Sequence, residues 1–446
     1  MKNAFFSLLA FLAAVANASE DYAYQSGFGN HFSSEAIPGA LPVGQNSPQV
    51  PNLGLYAEQL SGTTFFAPRH ANQRTWIYRI RPSVLHSPFV KSEQGRIALN
   101  FNKAVASPSQ LRWMPLPPPK TPTDFIEGFT TLAGSGDPVL RSGLAIHIYS
   151  ANRSMENKCF YNSDGDFLIV PQTGVLDFQT EFGWLRVAPG EICVIPRGIK
   201  FRVALLEDRA YGYVCEVFNG HFRLPDLGPI GANGLANPRD FLYPVASFED
   251  REEEYLLLSK FGGEMFQAKL AFSPFDAVAF HGNYLPYKYD LNCFCPYNTV
   301  AFDHADPSIF TVLTCAQADG NALADFVVFP PRWNCAEHTF RPPYFHRNCM
   351  SEFMGLIHGA YEAKEKGFVP GGASLHNVMS AHGPDAQATR KASECELAPA
   401  FIQKGTLAFM FESACLLKLT DASLEEENLD LDYAKCWEGI KSRFTR

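Results

Sequence analysis

Gly190-Glu-Ile-Cys-Val-Ile-Pro196-Arg-Gly198-Ile-Lys-Phe201 sets two apolar segments, Ile192 to Ile195 and Phe201 to Leu205, on either side of a Pro-x-Gly turn. The first segment is rich in β-branched residues and too short for a helix, and the turn residues that close it end a strand. The same rhythm extends outward. Between Phe160 and Val217 the segments Phe167 to Val170 and Trp184 to Val187 also alternate with turn residues, which predicts an antiparallel sandwich or barrel. The 38 Phe and 32 Pro are spread along the chain rather than clustered, so many short strands and ordered loops are expected throughout. A chain of 446 residues is too long for one ordinary core, and two or three domains are expected.

Gly, five residues, Pro-x-Gly, two residues and a final aromatic is a spacing that resembles the second motif of the cupins. In metal-binding cupins that last place is His. Phe201 has no ligand atom, and Asn162 to Asp166 upstream supplies no His-x-His, so this module is expected to be structural and the functional metal to lie elsewhere. Gly228-Pro-Ile-Gly231-Ala-Asn-Gly234 fits neither common nucleotide-loop pattern and reads, with Asn237 to Asp240, as a long ordered loop. At the end of the chain Ser423-x-x-Glu426 has the form of a capping box. Leu424, Leu431, Ala434, Cys436, Trp437 and Ile440 follow as an apolar stripe, so a helix packed against a domain is expected there.

The balance of 37 basic against 46 acidic side chains gives a net charge of -9, and no Lys/Arg run could track a phosphate backbone, which excludes nucleic acid as the expected partner. The eleven cysteines form no CxxC pair and read as buried reduced thiols. The N-terminus argues the other way. Lys2, the apolar run Ala4 to Val15 and Ala16-Asn17-Ala18 have the order of a signal peptide, too short for a stable membrane span, so residues 1–18 are a secretion signal or an N-terminal extension.

The chemistry is concentrated in His346-Arg-Asn-Cys-Met-Ser-Glu352, followed by His376 and His382. Two imidazoles and one carboxylate suit non-haem Fe(II), because they occupy one face of the ion and leave the other open to substrate and O2. The same set serves catalytic zinc in hydrolases. Spacing leaves the third ligand open between His376, in Pro370-Gly-Gly-Ala-Ser-Leu-His376, and His382, before Gly383-Pro384-Asp385. His304 lies between Asp303 and Asp306, neighbours that would raise an imidazole pKa and hold one tautomer, as a general acid/base needs. Tyr344 and Tyr361 could each donate a hydrogen bond to a carboxylate or phenolate.

Long runs of the chain are similar to the homogentisate dioxygenase family. They include Ser26-Gly-Phe-Gly-Asn30, Leu55-Tyr-Ala-Glu-Gln-Leu-Ser-Gly62, Leu224 to Phe241, Val300 to Val312, Phe340-Arg-Pro-Pro-Tyr344 and His346 to Leu356. The resemblance implies a mainly β fold, with a β-sandwich or cupin-like N-terminal region over 19–292 and a smaller cupin-like, jelly-roll C-terminal domain with a few helices over 293–446. It implies that His346, Glu352 and His382 bind Fe(II), with His376 a neighbour, that His304 is the catalytic acid/base, and that Tyr361 and His382 meet the substrate. The implied reaction is cleavage of homogentisate by O2 to 4-maleylacetoacetate in tyrosine and phenylalanine catabolism, by a cytoplasmic homo-oligomer, a trimer or dimer of trimers. The alternatives are a dioxygenase for another 2,5-dihydroxyphenyl acid, a zinc hydrolase on the same residues, or a catalytically silent cupin-like binding protein, and, for location, secretion.

Overall fold

The Gly190–Phe201 stretch turns a corner between two sheets. In the computed structural model, which describes residues 22–446 apart from 94, 98–100, 227–234, 299–300, 304–306, 362, 365–366, 403 and 426, the strand Glu191–Ile195 belongs to a nine-stranded sheet. The strand Phe201–Leu205 belongs to a seven-stranded one. Gly198 makes the corner at φ 84°, a conformation that a side chain would strain, and its N–H donates to the Asn162 carbonyl at 2.7 Å. The four apolar segments read from the sequence in this region are all strands, and the chain is mainly β.

Between the two sheets the interior is filled with aromatic rings. Phe201 is buried and meets Phe160 edge-on at 5.6 Å, Phe178 at 6.0 Å and Phe125 at 6.4 Å. Burying each such ring contributes about 1.5–3 kcal/mol, and edge-to-face pairing adds to that. At Phe201 the chain thus offers hydrocarbon and no ligand atom.

Buried charges in the same region are paired internally. Glu216 accepts from Lys260 Nζ at 2.8 Å and Asn162 Nδ2 at 2.7 Å, and His147 Nε2 lies at 3.1 Å; Lys260 also reaches Asp164 at 2.9 Å. Asp166 binds Arg197 Nε at 2.9 Å and His221 Nδ1 at 2.7 Å. The polar stretch Asn162 to Asp166 therefore has a structural use.

A six-stranded sheet carries the rest of the chemistry. Its order is Thr311–Ala316, Ala322–Phe329, Leu407–Ser413, Ser351–His358, Ala373–His376 and Leu111–Trp113. The last strand comes from far upstream, with Trp113 opposite Ala373. In return, Lys418–Leu419 joins the nine-stranded sheet opposite Ala133 and Gly134. Each sheet thus borrows a strand from the other part of the chain, which ties the two together. Buried cross-links reinforce the tie, among them Tyr213 Oη to the Gly372 carbonyl at 2.8 Å.

The expected C-terminal helix is not there. Asp421–Leu424 and Tyr433–Trp437 are single 3₁₀ turns, and Ser423 Oγ donates back to the Thr420 carbonyl instead of capping. Glu426 lies outside the described residues. The intervening backbone is captured by the borrowed strand: Met114 N–H donates to Asn428 and Asp430 N–H to Arg112, both at 2.8 Å, while Arg112 Nε holds the Asp430 carboxylate at 2.7 Å. These tertiary bonds override the local helical pattern, and two of its apolar positions, Leu431 and Ile440, are exposed. Among the described residues the single α-helix is Ala386–Glu394, capped by Asp385.

The cysteines are all free thiols, but only Cys159, Cys193, Cys215 and Cys315 are buried, and Cys293, Cys295, Cys349 and Cys395 are exposed. The whole Gly228–Gly234 loop and all of residues 1–18 lie outside the described residues. Among the described residues no helix is long and apolar enough to cross a membrane.

Burial alone would raise the Glu216 carboxyl, but the Lys260 ammonium and the His147 hydrogen bond outweigh it and hold it at about 2. Asp166 is likewise raised by burial and lowered further, to about 2, by His221 and Arg197. A depressed carboxyl stabilises the fold above its unfolded pKa, and that stability is lost as pH falls through the folded value. Urea unfolding should therefore weaken between about pH 4.5 and pH 2. Glu216→Gln should cost about 1–3 kcal/mol at pH 7 by removing one of the two carboxylates that hold Lys260, and the variant should lose less on acidification than the parent. Equal acid sensitivity of the two would contradict this assignment.

Candidate metal centre

Glu352 is the second residue of the strand Ser351–His358, in the interior of the six-stranded sheet, with Glu412 opposite on one side and His376 opposite on the other. Period-two alternation sends its side chain to the same face as His376. His346 precedes this strand and His382 follows the next, and the two form an antiparallel bridge, exchanging N–H···O bonds of 3.0 and 3.1 Å. The bridge delivers both imidazoles to the end of the sheet where Glu352 points. Gly383 permits the approach: a Cβ there would come within 2.6 Å of the Phe345 ring and 3.0 Å of its Cα.

Both imidazoles are oriented by the backbone. His346 Nδ1 lies 2.8 Å from the Tyr344 carbonyl and His382 Nδ1 lies 2.9 Å from the Ser380 carbonyl. A carbonyl only accepts, so each Nδ1 carries the proton and each Nε2 presents its lone pair. Those lone pairs face the Glu352 carboxylate, with His346 Nε2 at 3.3 Å from Oε1 and His382 Nε2 at 2.9 Å from Oε2. Asn348 Nδ2 holds Oε1 at 2.8 Å.

Three lone-pair donors aimed at one another repel unless a proton or a cation lies among them. Their ligand atoms lie within 4.8 Å of one another, the one such group among the described residues. Bonds of about 2.1 Å on one face of an ion put neighbouring donors about 3 Å apart, so the observed separations fit a transition metal held by these three residues. The geometry groups His382, and not His376, with His346 and Glu352.

His376 stands behind. Its ring stacks on His382 at 4.1 Å and 8°, and its Nε2 lies 2.7 Å from Tyr433 Oη and 3.4 Å from Lys364 Nζ. Burial pushes it well below the ordinary histidine range, which keeps it neutral. Tyr361 is buried and lines the same cavity as the three donors, with Phe310, Phe329, Met354 and Met410 as apolar walls. Tyr344 is half exposed, edge-on to His346 at 5.6 Å. His304 lies outside the described residues. Asn348, Lys364 and Tyr433 were not singled out by spacing: Asn348 is one polar residue in a run, Lys364 one charge among several, and Tyr433 sits in a segment patterned like a helix.

The chain matches the model "Homogentisate 1,2-dioxygenase N-terminal" over residues 23–291 and "Homogentisate 1,2-dioxygenase C-terminal" over residues 292–444. It is 60% identical over 424 residues to the homogentisate 1,2-dioxygenase of Dictyostelium discoideum, covering 94% of this chain and 98% of that protein. It is 57% identical over 431 residues to that of Homo sapiens, covering 95% and 97%. The Drosophila melanogaster enzyme is also 57% identical, over 433 residues, covering 95% and 98%. Two imidazoles converging on a buried carboxylate, in a chain that matches both halves of one enzyme family over residues 23–444, leave one assignment: the chain belongs to the homogentisate 1,2-dioxygenase family.

Proposed function

We propose that the chain is an Fe(II)-dependent dioxygenase that cleaves the ring of homogentisate with O2 to give 4-maleylacetoacetate, in the catabolism of tyrosine and phenylalanine. The observation that carries this reading is the pair of Nε2 lone pairs preset against the Glu352 carboxylate in a buried, mostly apolar cavity. It stands in a chain of this family. His346, Glu352 and His382 would hold the iron. Bound there, Fe(II) supplies adjacent open positions for a ring hydroxyl and for O2, and the redox chemistry between them.

The rest of the work falls to the protein. Tyr361 orients the substrate through its phenol, and His382 adjoins the ring on the metal side. The walls formed by Phe310, Phe329, Met354 and Met410 keep water from the reacting ring and restrict its tilt. His304 takes the proton of the ring hydroxyl as general base. Both atoms of O2 remain in the product, so no leaving group has to be discharged. In this account residues 293–446 carry the iron and residues 19–292 form a metal-free β-rich unit. The subunits assemble as a homo-oligomer, a trimer or dimer of trimers. The eleven free thiols support a reducing, cytoplasmic location.

Oxygen uptake tests the reading. Fe(II)-loaded protein should consume one O2 per homogentisate, with little uptake on gentisate and none when loaded with zinc; product formed without oxygen, or by the zinc form, would support hydrolysis instead. His304→Asn should retain its iron and lose about 10²–10⁴-fold in kcat, and an unchanged kcat would remove His304 from the reaction.

A further inference from the structure

Among the described residues no carboxylate pairs with the buried Lys364 ammonium. Its side chain lines the cavity that contains His346, Glu352 and His382. It stands on the same turn as Tyr361, whose carbonyl accepts the Lys364 N–H at 3.0 Å. The partners of its ammonium are neutral: it donates to Tyr433 Oη and lies 3.4 Å from His376 Nε2. Tyr433 and Trp437 present ring faces at 4.8 and 5.3 Å. Among the described residues no carboxylate forms an ion pair with it, and Glu352 is committed to the two imidazoles and Asn348.

An ammonium carries three N–H donors, and two are accounted for. Elsewhere in this chain buried lysines are neutralised: Lys260 by Glu216 and Asp164, Lys288 by Glu191. A lone buried charge costs stability unless something completes it. Burial draws the Lys364 amine down to about 8, which still leaves it protonated at neutral pH. Arg332, the other cation lining the cavity, donates to the Pro330 carbonyl at 3.2 Å and lies over the Phe310 ring at 5.0 Å.

We propose that Lys364 is the anchor for the substrate's carboxylate, pairing with the acetate arm of an arylacetate and selecting anionic over neutral dihydroxyarenes. The position suits the task. Lys364 is one imidazole removed from His382, through His376, so a single aromatic ring can span from the metal side of the cavity to the ammonium. This deepens the dioxygenase reading and rests on it. Tyr361 and Lys364, on one turn, would then grip the arm together while Tyr433 and His376 hold the ammonium in place.

The test compares homogentisate with its methyl ester, which has the same ring and no charge. Each is assayed by kcat/KM in oxygen uptake and by equilibrium binding to the iron-loaded protein without oxygen. Wild type should prefer the acid by about 10- to 100-fold, the value of a charge-assisted hydrogen bond. Lys364→Met should bring the acid-to-ester ratio within about threefold of one, with the iron content unchanged, and Lys364→Arg should restore most of the preference. The proposal is overturned if Lys364→Met keeps the preference, or loses both compounds equally. Should Lys364→Met fail to fold, the wild type and Lys364→Arg still decide: an ester bound as tightly as the acid overturns it. A wild type that consumes no oxygen with either compound but binds the acid selectively would refute the dioxygenase reading and leave the anchor standing.

Discussion

The site depends on strand register. Glu352 reaches the two imidazoles only because Ser351–His358 pairs with Ala373–His376 so that Glu352 lies opposite His376, and because the bridge between His346 and His382 forms one step beyond the sheet. Side chains alternate along a strand, so a slip of one residue would send Glu352 to the other face and Phe353 into the cavity. The apolar alternation prevents that slip. Phe353 is fully buried, packed against Phe411 at 6.1 Å and Trp113 at 6.2 Å, and Trp113 stands on the strand borrowed from upstream. The first part of the chain thus helps to set the register of the second.

The two regions handle the same chemical types differently. In the first, a buried histidine and glutamate, His147 and Glu216, meet a lysine: Lys260 supplies the positive charge, and the cluster is complete. In the second, Glu352 meets two imidazoles whose protons are committed to backbone carbonyls, and no lysine or arginine side chain joins them among the described residues. One arrangement closes its charge balance with protein, and the other leaves it for an ion. That contrast separates a structural His–Glu pair from a ligand set more firmly than burial does, since both glutamates are buried.

Much of this was legible in the sequence because it is local. The strands around Gly190 to Phe201 follow from alternation and turn residues, and the loss of a ligand atom at Phe201 follows from the residue itself. His346 and Glu352 lie six residues apart, near enough for one turn and strand to aim both. The choice between His376 and His382 was not local: it depends on which imidazole the bridge carries into the cavity and which one the sheet buries behind it. The C-terminal segment misled for the same reason. Its capping box and apolar stripe are real, but Arg112 and Met114, some three hundred residues upstream, take its backbone into hydrogen bonds that a helix would have to break. Lys364 carried no signal in the sequence, because a lysine without an acid can be recognised only after its surroundings are known.

Isotope labelling separates ring cleavage by O2 from hydrolysis at this site. Homogentisate is turned over by the iron-loaded protein under ¹⁸O₂ and quenched before carbonyl exchange, and the product mass is read. If His346, Glu352 and His382 serve a ring-cleaving dioxygenase, the product carries two ¹⁸O atoms per molecule. A product with one or none, or one labelled only from H₂¹⁸O, would contradict the account.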